Sequence, residues 1–514
     1  MSSADVVVLG AGIEGLCAAL TLARGRRGVT LLEARANVGG SEAREEFHPG
    51  FHASGVNPDA SLWRTGHMQA FGLGAHGLAW RDQEPALLVP HSSGCPLVFR
   101  RDPERMNGEL PPGERERLLA LDRLCGRVAP VLEGLLDEPP PHLADPGTST
   151  LLGLAQKALT LRRLGRSEML ALARILPSSA QDWLEDALGM EALRVALTAP
   201  ALAGTVVGPR APGTSLFVFL RHALAVREPV GGPGMLVAAL HEACVKAGVE
   251  VRTSRAVRAL RIGAQGVEAV ESASGELLAC RAVLSTLTPA RTLLELVPPG
   301  TLGASTENAV RSFRARGAMA VLRLALAAPP RFAGRENDPI EHAVSAADML
   351  TLERAADCLK YRKLPAEPWV EVRIPSRADP SQAPEGKAVA IVQCHTVPND
   401  LSGEGGWSDA ARTRISRSML AAFERLAPGV GSTVLAQELL TPPDIEQRYG
   451  TSGGHLFDGE LALDQLWLQR PSLGLCRYAT PIPGLYLGGS GSHPGGPFRG
   501  GAGVLSARAL LAAG

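Results

Sequence analysis

Three glycines at a fixed spacing, and one acid downstream of them, are the first residues of this chain suited to chemistry. Gly10, Gly12 and Gly15 stand in Gly10-Ala11-Gly12-Ile13-Glu14-Gly15, directly after the apolar run Val6-Val7-Val8-Leu9. Gly10 permits a tight turn out of a buried strand. Gly12 lets the backbone approach a pyrophosphate, and Gly15 lets the next helix pack closely on the sheet. That helix aims free N–H groups and its positive dipole end at the phosphates. Val29-Thr30-Leu31-Leu32 reads as the second strand. Glu33 closes it 23 positions after Gly10, near the distance at which a carboxylate accepts from a ribose hydroxyl. Strand, turn, helix and acid together predict a dinucleotide fold.

A second glycine-rich stretch, Gly484 to Gly496, lies at the other end of the chain. One dinucleotide would then be held by both ends of the polypeptide. His493 lies inside that stretch and suits a proton donor, a polarising group, or a polar residue that shapes the loop. His455 and Asp458 are three apart and fit either an acid–base pair on one face of a turn or solvated structural roles. Arg210, in Gly208-Pro209-Arg210-Ala211-Pro212-Gly213, suits a bidentate clamp on a carboxylate or a structural brace. Arg499 precedes Gly500-Gly501 and would stabilise negative charge on a reduced cofactor. His48 and His52 flank Pro49-Gly50-Phe51 and read as surface or packing residues.

The elements between the two ends must bring them together. Met235 to Ala247 reads as a helix and Gly248 to Arg252 as a strand. Ala256 to Ile262 and Gly266 to Val270 read as a hairpin, and Ala282 to Thr286 as a short apolar strand. This block is expected to return to the dinucleotide domain. Residues 76–225 carry helical patterns at 114–135, 150–175 and 181–199, with Pro139, Pro140 and Pro141 separating the first two. Residues 299–471 mix strands at Ala318 to Ala325, Trp369 to Ile374 and Ala388 to Gln393 with a helix at 408–426. The expected fold is α/β. A discontinuous Rossmann-type domain (1–75, 226–298 and 472–514) carries a helical cap (76–225) and a mixed-sheet substrate domain (299–471).

The chain resembles the phytoene desaturase-related flavoproteins, in the branch of the pyridine nucleotide-disulphide oxidoreductase domain-containing protein and its bacterial relatives. The resembling stretches run from Gly39-Gly40 with Pro49-Gly50-Phe51 through Gly208 to Thr214, and Ile374-Pro375-Ser376 with Asp379-Pro380. They continue in Gly453 to Glu460 with Asp464-Gln465, and in Thr480 to Gly503. The resemblance implies FAD, because Gly39-Gly40 matches a flavoprotein extension of the ribose strand and Leu485 to Gly503 a segment beside the isoalloxazine ring. By it, Gly10, Gly12, Ile13, Glu14 and Gly15 bind the cofactor, followed by Glu33, Ala34, Arg35, Gly39, Gly40 and Ser41. Val257 covers the adenine through its backbone, and Gly489, Ser490, Gly501 and Ala502 attend the flavin. Two departures stand out. Asp458 occupies a position where relatives often have a second His, and Pro497-Phe498 follow Gly495-Gly496 where others have Gly-Val. Pro497, which has no N–H, and bulky Phe498 would together reshape the wall beside the flavin.

Composition narrows the function. With 52 basic and 52 acidic residues among 514, no global field recruits nucleic acid or an anionic membrane. Only five cations are Lys, a coding bias expected of a GC-rich bacterial genome. The eight cysteines are scattered singly, which argues against a disulfide redox pair and the usual zinc spacings and suits a reducing cytoplasm. A strand by residue 5 leaves no room for a leader, and no run of 18 apolar residues offers a spanning helix, while peripheral membrane contact stays open. The expected activity is an FAD-dependent oxidoreductase: a desaturase or dehydrogenase taking hydride from an apolar small molecule onto the flavin. Oxygen or a quinone would accept the electrons. The alternatives are an amine-oxidase-type flavoenzyme, a redox-neutral flavin isomerase, or a non-catalytic flavin-bound interaction protein. No lysine falls in a flavin motif, which disfavours the first of these.

Overall fold

In a computed structural model, residues 3–514 are described apart from 82–85, 92–93, 107, 143–146, 225–227, 318 and 404. The division expected at 225/226 and the strand start expected at Ala318 lie outside the described residues.

The first sheet is assembled from distant parts of the sequence. Its strands lie in the order Glu250–Arg252, Val29–Leu32, Ser3–Leu9, Leu277–Ser285, Gly266–Ser272, Val257–Gly263. The first four run parallel. The hairpin at 257–272 continues the sheet antiparallel, and Leu485–Leu487 pairs parallel with the last three residues of Leu277–Ser285. The inner strand Val29–Leu32 and the run Val6 to Leu9 are apolar because helices cover the sheet, whereas the edge strand Glu250–Arg252 is not. Helices Ile13–Arg24, Pro233–Lys246 and Gly501–Ala513 share one core with Val6, Val8, Val29 and Leu31. Register brings Leu9 level with Leu32 and Ser285, and Ser285 level with Leu487. The residues just beyond these strand ends therefore share one edge, where ligands of open parallel sheets bind.

The second sheet has the order Val434–Leu440, Ala320–Leu326, Ala388–Cys394, Glu371–Arg373, His342–Val344, Leu87–Val89, Leu97–Phe99. Its outer face packs Leu322, Leu324, Val392 and Val372 against helix Asp409–Leu426. Its inner face is also buried. It carries Val321, Val389 and Ile391 alongside Arg323, Glu371, Arg373 and Gln393. Helices Pro112–Leu136, Ala180–Ala187, Glu191–Thr198 and Thr214–Leu224 form a third body around Leu118, Trp183, Leu193 and Phe219.

Several expectations need correction. Residues 76–225 are not purely helical, because Leu87–Val89 and Leu97–Phe99 extend the second sheet. The helix expected at 150–175 is two, Thr148–Arg163 and Arg166–Ile175, broken where Gly165 adopts φ +92. The helix expected at 181–199 is also two. Leu188 is extended between them, and the N–H groups of Gly189 and Met190 donate to the carboxylate of Glu114 instead of to a continuing helix. The strand expected at 282–286 starts at Leu277, because the hairpin pairs with its first half.

Candidate functional site

The first glycine turn opens into a cleft of about 1160 Å³ along the shared strand edge. Gly10 has φ +90, and a Cβ there would sit 2.8 Å from Thr286 Oγ1. At Gly15 a Cβ would sit 1.8 Å from the Gly10 carbonyl oxygen. The fold itself needs both glycines. Gly12 differs: its φ is −72, open to any residue, and a Cβ there would meet nothing within 4 Å. The protein has no packing reason for a glycine at 12, but a ligand backbone lying in the cleft would supply one. Helix Ile13–Arg24 starts at Gly12 with no side-chain cap, so its first N–H groups stay available to an anion. A pyrophosphate fits this cradle.

Glu33 sits 7 % exposed in the cleft wall. Its Oε2 accepts from Ala11 N–H at 2.8 Å and its Oε1 from Arg35 N–H at 2.9 Å. Each oxygen keeps a lone pair for a ribose hydroxyl. Ile13, Ala34, Arg35, Gly40, Ser41 and Val257 also line the cleft, whereas Gly15, Gly39, Gly489, Gly501 and Ala502 do not. Those five are packing positions. A Cβ at Gly39 would meet Val237 Cγ1 at 2.8 Å, one at Gly489 the Thr286 carbonyl oxygen at 2.4 Å, and one at Gly501 Pro494 Cγ at 2.7 Å. Ala502 is wholly buried. Glu14 reaches the cleft, yet its carboxylate turns away from it. It accepts from Gly500 N–H at 2.8 Å and Gly503 N–H at 2.7 Å, and so ties the first helix to the start of the last. Burial pushes the Glu14 carboxyl up to about 7.

At one end of the cleft stand Glu42, Asp458, Ser490 and Arg499. Arg499 bonds Ser490 Oγ and the Leu456 carbonyl (2.9 Å), with its Nη2 3.1 Å from Glu42 Oε1. Wholly buried Arg470 donates to the carbonyls of Phe457 (3.0 Å), Gly459 (3.3 Å) and Ser490 (2.8 Å), pinning both neighbours of Asp458 to the C-terminal loop. Asp458 holds φ +53, and its buried Oδ1 has no partner. Burial pushes its carboxyl up to about 6, against the pull of Arg499.

The other proposed acid–base residues lie elsewhere. His455 Nδ1 accepts from Phe457 N–H (3.0 Å), and its Nε2–H donates to the Gly204 carbonyl (3.2 Å). It does not pair with Asp458. His493 lies against the Glu138 carbonyl at the end of a cap helix, 3.1 Å from it. Burial pulls both imidazoles down to about 4. Exposed Arg210 donates through its backbone to Glu353 and through Nε to Gln181, both at 2.9 Å, as a brace. The sequence reading missed Glu42, Arg255, Thr286 to Thr288, Arg291 and the turn 447–451, all of which line the cleft. Only Glu42, close behind Gly40, carried a signal.

A second cavity, with about 680 Å³ of empty volume, adjoins the cleft. Leu456, Phe457 and Phe498 line it, and their chain neighbours Asp458 and Arg499 line the cleft, so two short strips of backbone form a common wall. Leu62, Phe217, Leu220 and Leu461 complete an apolar body. Asp59, Arg221, Glu371 and His395 form a polar end. Arg221 pairs with Asp59 at 2.7 Å, and Arg373 lies 3.4 Å from Asp59 and 3.0 Å from Glu228. Glu371 pairs with His342 at 2.7 Å and His395 at 3.1 Å. Against the cost of burial, the hydrogen bonds from these imidazoles and the nearby Arg373 guanidinium hold the Glu371 carboxyl well below its ordinary range, and Arg221 and Arg373 do the same for Asp59.

Comparison with known proteins agrees with this geometry. Residues 5–300 match the family model described as FAD dependent oxidoreductase. The chain is 28 % identical over 541 aligned residues to the rat pyridine nucleotide-disulfide oxidoreductase domain-containing protein 2, covering 99 % of this chain and 93 % of the relative. It is 24 % identical to one of the subunits of the limonene dehydrogenase of Castellaniella defragrans, covering 98 % and 94 %. Among solved structures, cyclohexylamine oxidase from Brevibacterium oxydans superposes with a TM-score of 0.60 at 14 % identity, over 99 % of this chain and 98 % of that one.

Proposed function

Given that the chain belongs to the FAD dependent oxidoreductase family, we propose that it is a dehydrogenase or desaturase of an apolar small molecule, in the phytoene desaturase-related branch. One observation carries this reading: a largely apolar cavity shares its wall with the end of the cleft where Asp458, Ser490 and Arg499 stand. FAD, when bound, supplies the hydride acceptor. Glu33 would hold the ribose, and the uncapped helix start at Gly12 and Ile13 the pyrophosphate. Arg255 and Val257, which line the same cleft, would attend the adenine. Leu62, Phe217, Leu220 and Phe498 bind the substrate's hydrocarbon surface and exclude water from it. Asp458, on the cleft side of the shared wall, would take the proton that leaves the substrate at its unpartnered Oδ1, and Arg499 would stabilise negative charge in the cleft. A full-length relative named as part of a limonene dehydrogenase supports the same reaction class.

The test is anaerobic mixing of the FAD-loaded protein with a panel of alicyclic and acyclic terpenoid alkenes, following flavin absorbance. At least one compound should bleach the flavin, and Leu220→Trp, which fills the cavity, should slow that bleaching while leaving FAD bound. If no compound in the panel bleaches it, or if Leu220→Trp leaves the rate unchanged, the reading fails.

A further inference from the structure

The polar end of the cavity has no part in holding FAD, and it is built with more care than an apolar substrate needs. His395 lies one residue beyond strand Ala388–Cys394 and continues the inward face of Val389, Ile391 and Gln393. Its Nε2 is 3.1 Å from Glu371 Oε2. A carboxylate only accepts, so Nε2 carries the proton of that bond, and Nδ1 is left without a partner. The residue is 5 % exposed, and its ring leans on Trp369, with centroids 5.5 Å apart. Trp369 Nε1–H is likewise buried with no partner. Two buried, unpartnered polar atoms on these adjoining, tilted rings are costly unless a ligand or water satisfies them. His395 also stands between the main cavity and a smaller recess of about 260 Å³ that Trp369 lines.

We infer that this end of the cavity is a hydroxyl-recognition site: the substrate is an otherwise apolar molecule carrying one hydroxyl, whose O–H donates to His395 Nδ1. The inference rests on the cavity being the substrate site. The surrounding charges oppose an anion. Among the described residues Arg221 is committed to Asp59, and Arg373 to Glu228, Asp59 and Glu371. His342, the other imidazole on Glu371, has its pKa lowered by burial and so adds little positive charge near neutrality. A carboxylate head would therefore find Arg221 and Arg373 already paired. A hydroxyl donates and accepts from one atom, so it can serve His395 without bringing charge. Its hydrocarbon body then runs along Leu220, Phe457 and Phe498 toward the wall shared with the cleft.

The experiment is calorimetric titration of the FAD-loaded protein with octan-1-ol, its isomer 1-methoxyheptane, and octanoate. The first two have the same atoms and nearly the same apolar area, but only the alcohol donates. Octan-1-ol should bind about tenfold more tightly than the ether, the factor that about 1.4 kcal/mol supplies, with octanoate the weakest of the three. His395→Phe keeps the ring against Trp369. It should erase the alcohol's advantage and leave the ether's affinity in place. The comparison within the wild-type protein stands even if that variant misfolds. Equal affinities for alcohol and ether, tight binding of octanoate, or an alcohol preference that survives in His395→Phe would overturn the hydroxyl site alone. If neither the alcohol nor the ether binds to protein that holds its flavin, the cavity is not the substrate site, and the parent reading falls with it.

Discussion

Replacing Glu33 with glutamine changes one oxygen to an amide nitrogen, yet the structure makes it a severe substitution. Both carboxylate oxygens are already acceptors, one for Ala11 N–H at 2.8 Å and one for Arg35 N–H at 2.9 Å. A glutamine can serve only one of these; its NH₂ must face the other N–H, donor against donor. The ribose also loses its charged acceptor and keeps at most one neutral amide oxygen. A hydrogen bond to a charged group contributes about 1.5–3 kcal/mol, which weakens FAD about 10- to 150-fold. Glu33→Gln should therefore fall in the same range as Glu33→Ala rather than rescue it. The assay is titration of apoprotein with FAD by flavin fluorescence at constant ionic strength. Two further readouts separate the causes. The melting temperature of the apoprotein should drop, because the strained N–H exists without ligand, and the reduction potential of the bound flavin should stay put, because the ribose is remote from the ring. A glutamine variant that binds FAD within about threefold of wild type would refute the two-acceptor reading, since so small a ratio is well under 1 kcal/mol.

The two flanking glycines should behave oppositely. Gly12→Val should leave the apoprotein's melting temperature nearly unchanged and abolish FAD binding, whereas Gly15→Ala, whose Cβ would lie 1.8 Å from the Gly10 oxygen, should destabilise the apoprotein itself. A Gly12→Val protein that still binds FAD would remove the pyrophosphate from this turn. His455 should confer pH dependence. Its folded-state pKa is depressed from 6.5 to about 4, so its contribution is present above 6.5 and lost as pH falls toward 4, because the unfolded chain takes up the proton first. The stability advantage of wild type over His455→Asn should shrink by about 3 kcal/mol across that window, measured by denaturant midpoints at several pH values, and a constant difference would contradict it. Finally, anaerobic NADH or NADPH should not bleach the flavin quickly. The second sheet is mainly antiparallel, with no glycine turn between parallel strands among the described residues, so rapid bleaching at micromolar nicotinamide would reveal a nucleotide site this geometry does not contain.

The sequence by itself determined the dinucleotide half of this protein. Val6 to Leu9, the Gly10–Gly12–Gly15 turn and Glu33 lie within one short stretch, and their roles follow mainly from local backbone geometry. Periodicity likewise exposed the helix at 409–426 and the hairpin at 257–272. Helix ends were less legible: the break at Leu188 depends on Glu114, which lies 75 residues upstream of Gly189. Histidines inside promising motifs misled for the same reason. His493 and His455 are next to the right residues in sequence, but each is spent on a distant carbonyl, of Glu138 and Gly204. The substrate cavity was decided by tertiary structure alone. In Val370-Glu371-Val372-Arg373-Ile374 the alternation announces a strand with one polar face, which ordinarily faces water. Here the cap helix carrying Phe217, Leu220 and Arg221 and the loop carrying Leu456 and Phe457 close over that face, so Glu371 and Arg373 must find partners instead of solvent. Alternation records which side chains share a face. It cannot record what covers that face, because the cover comes from segments far away in the chain.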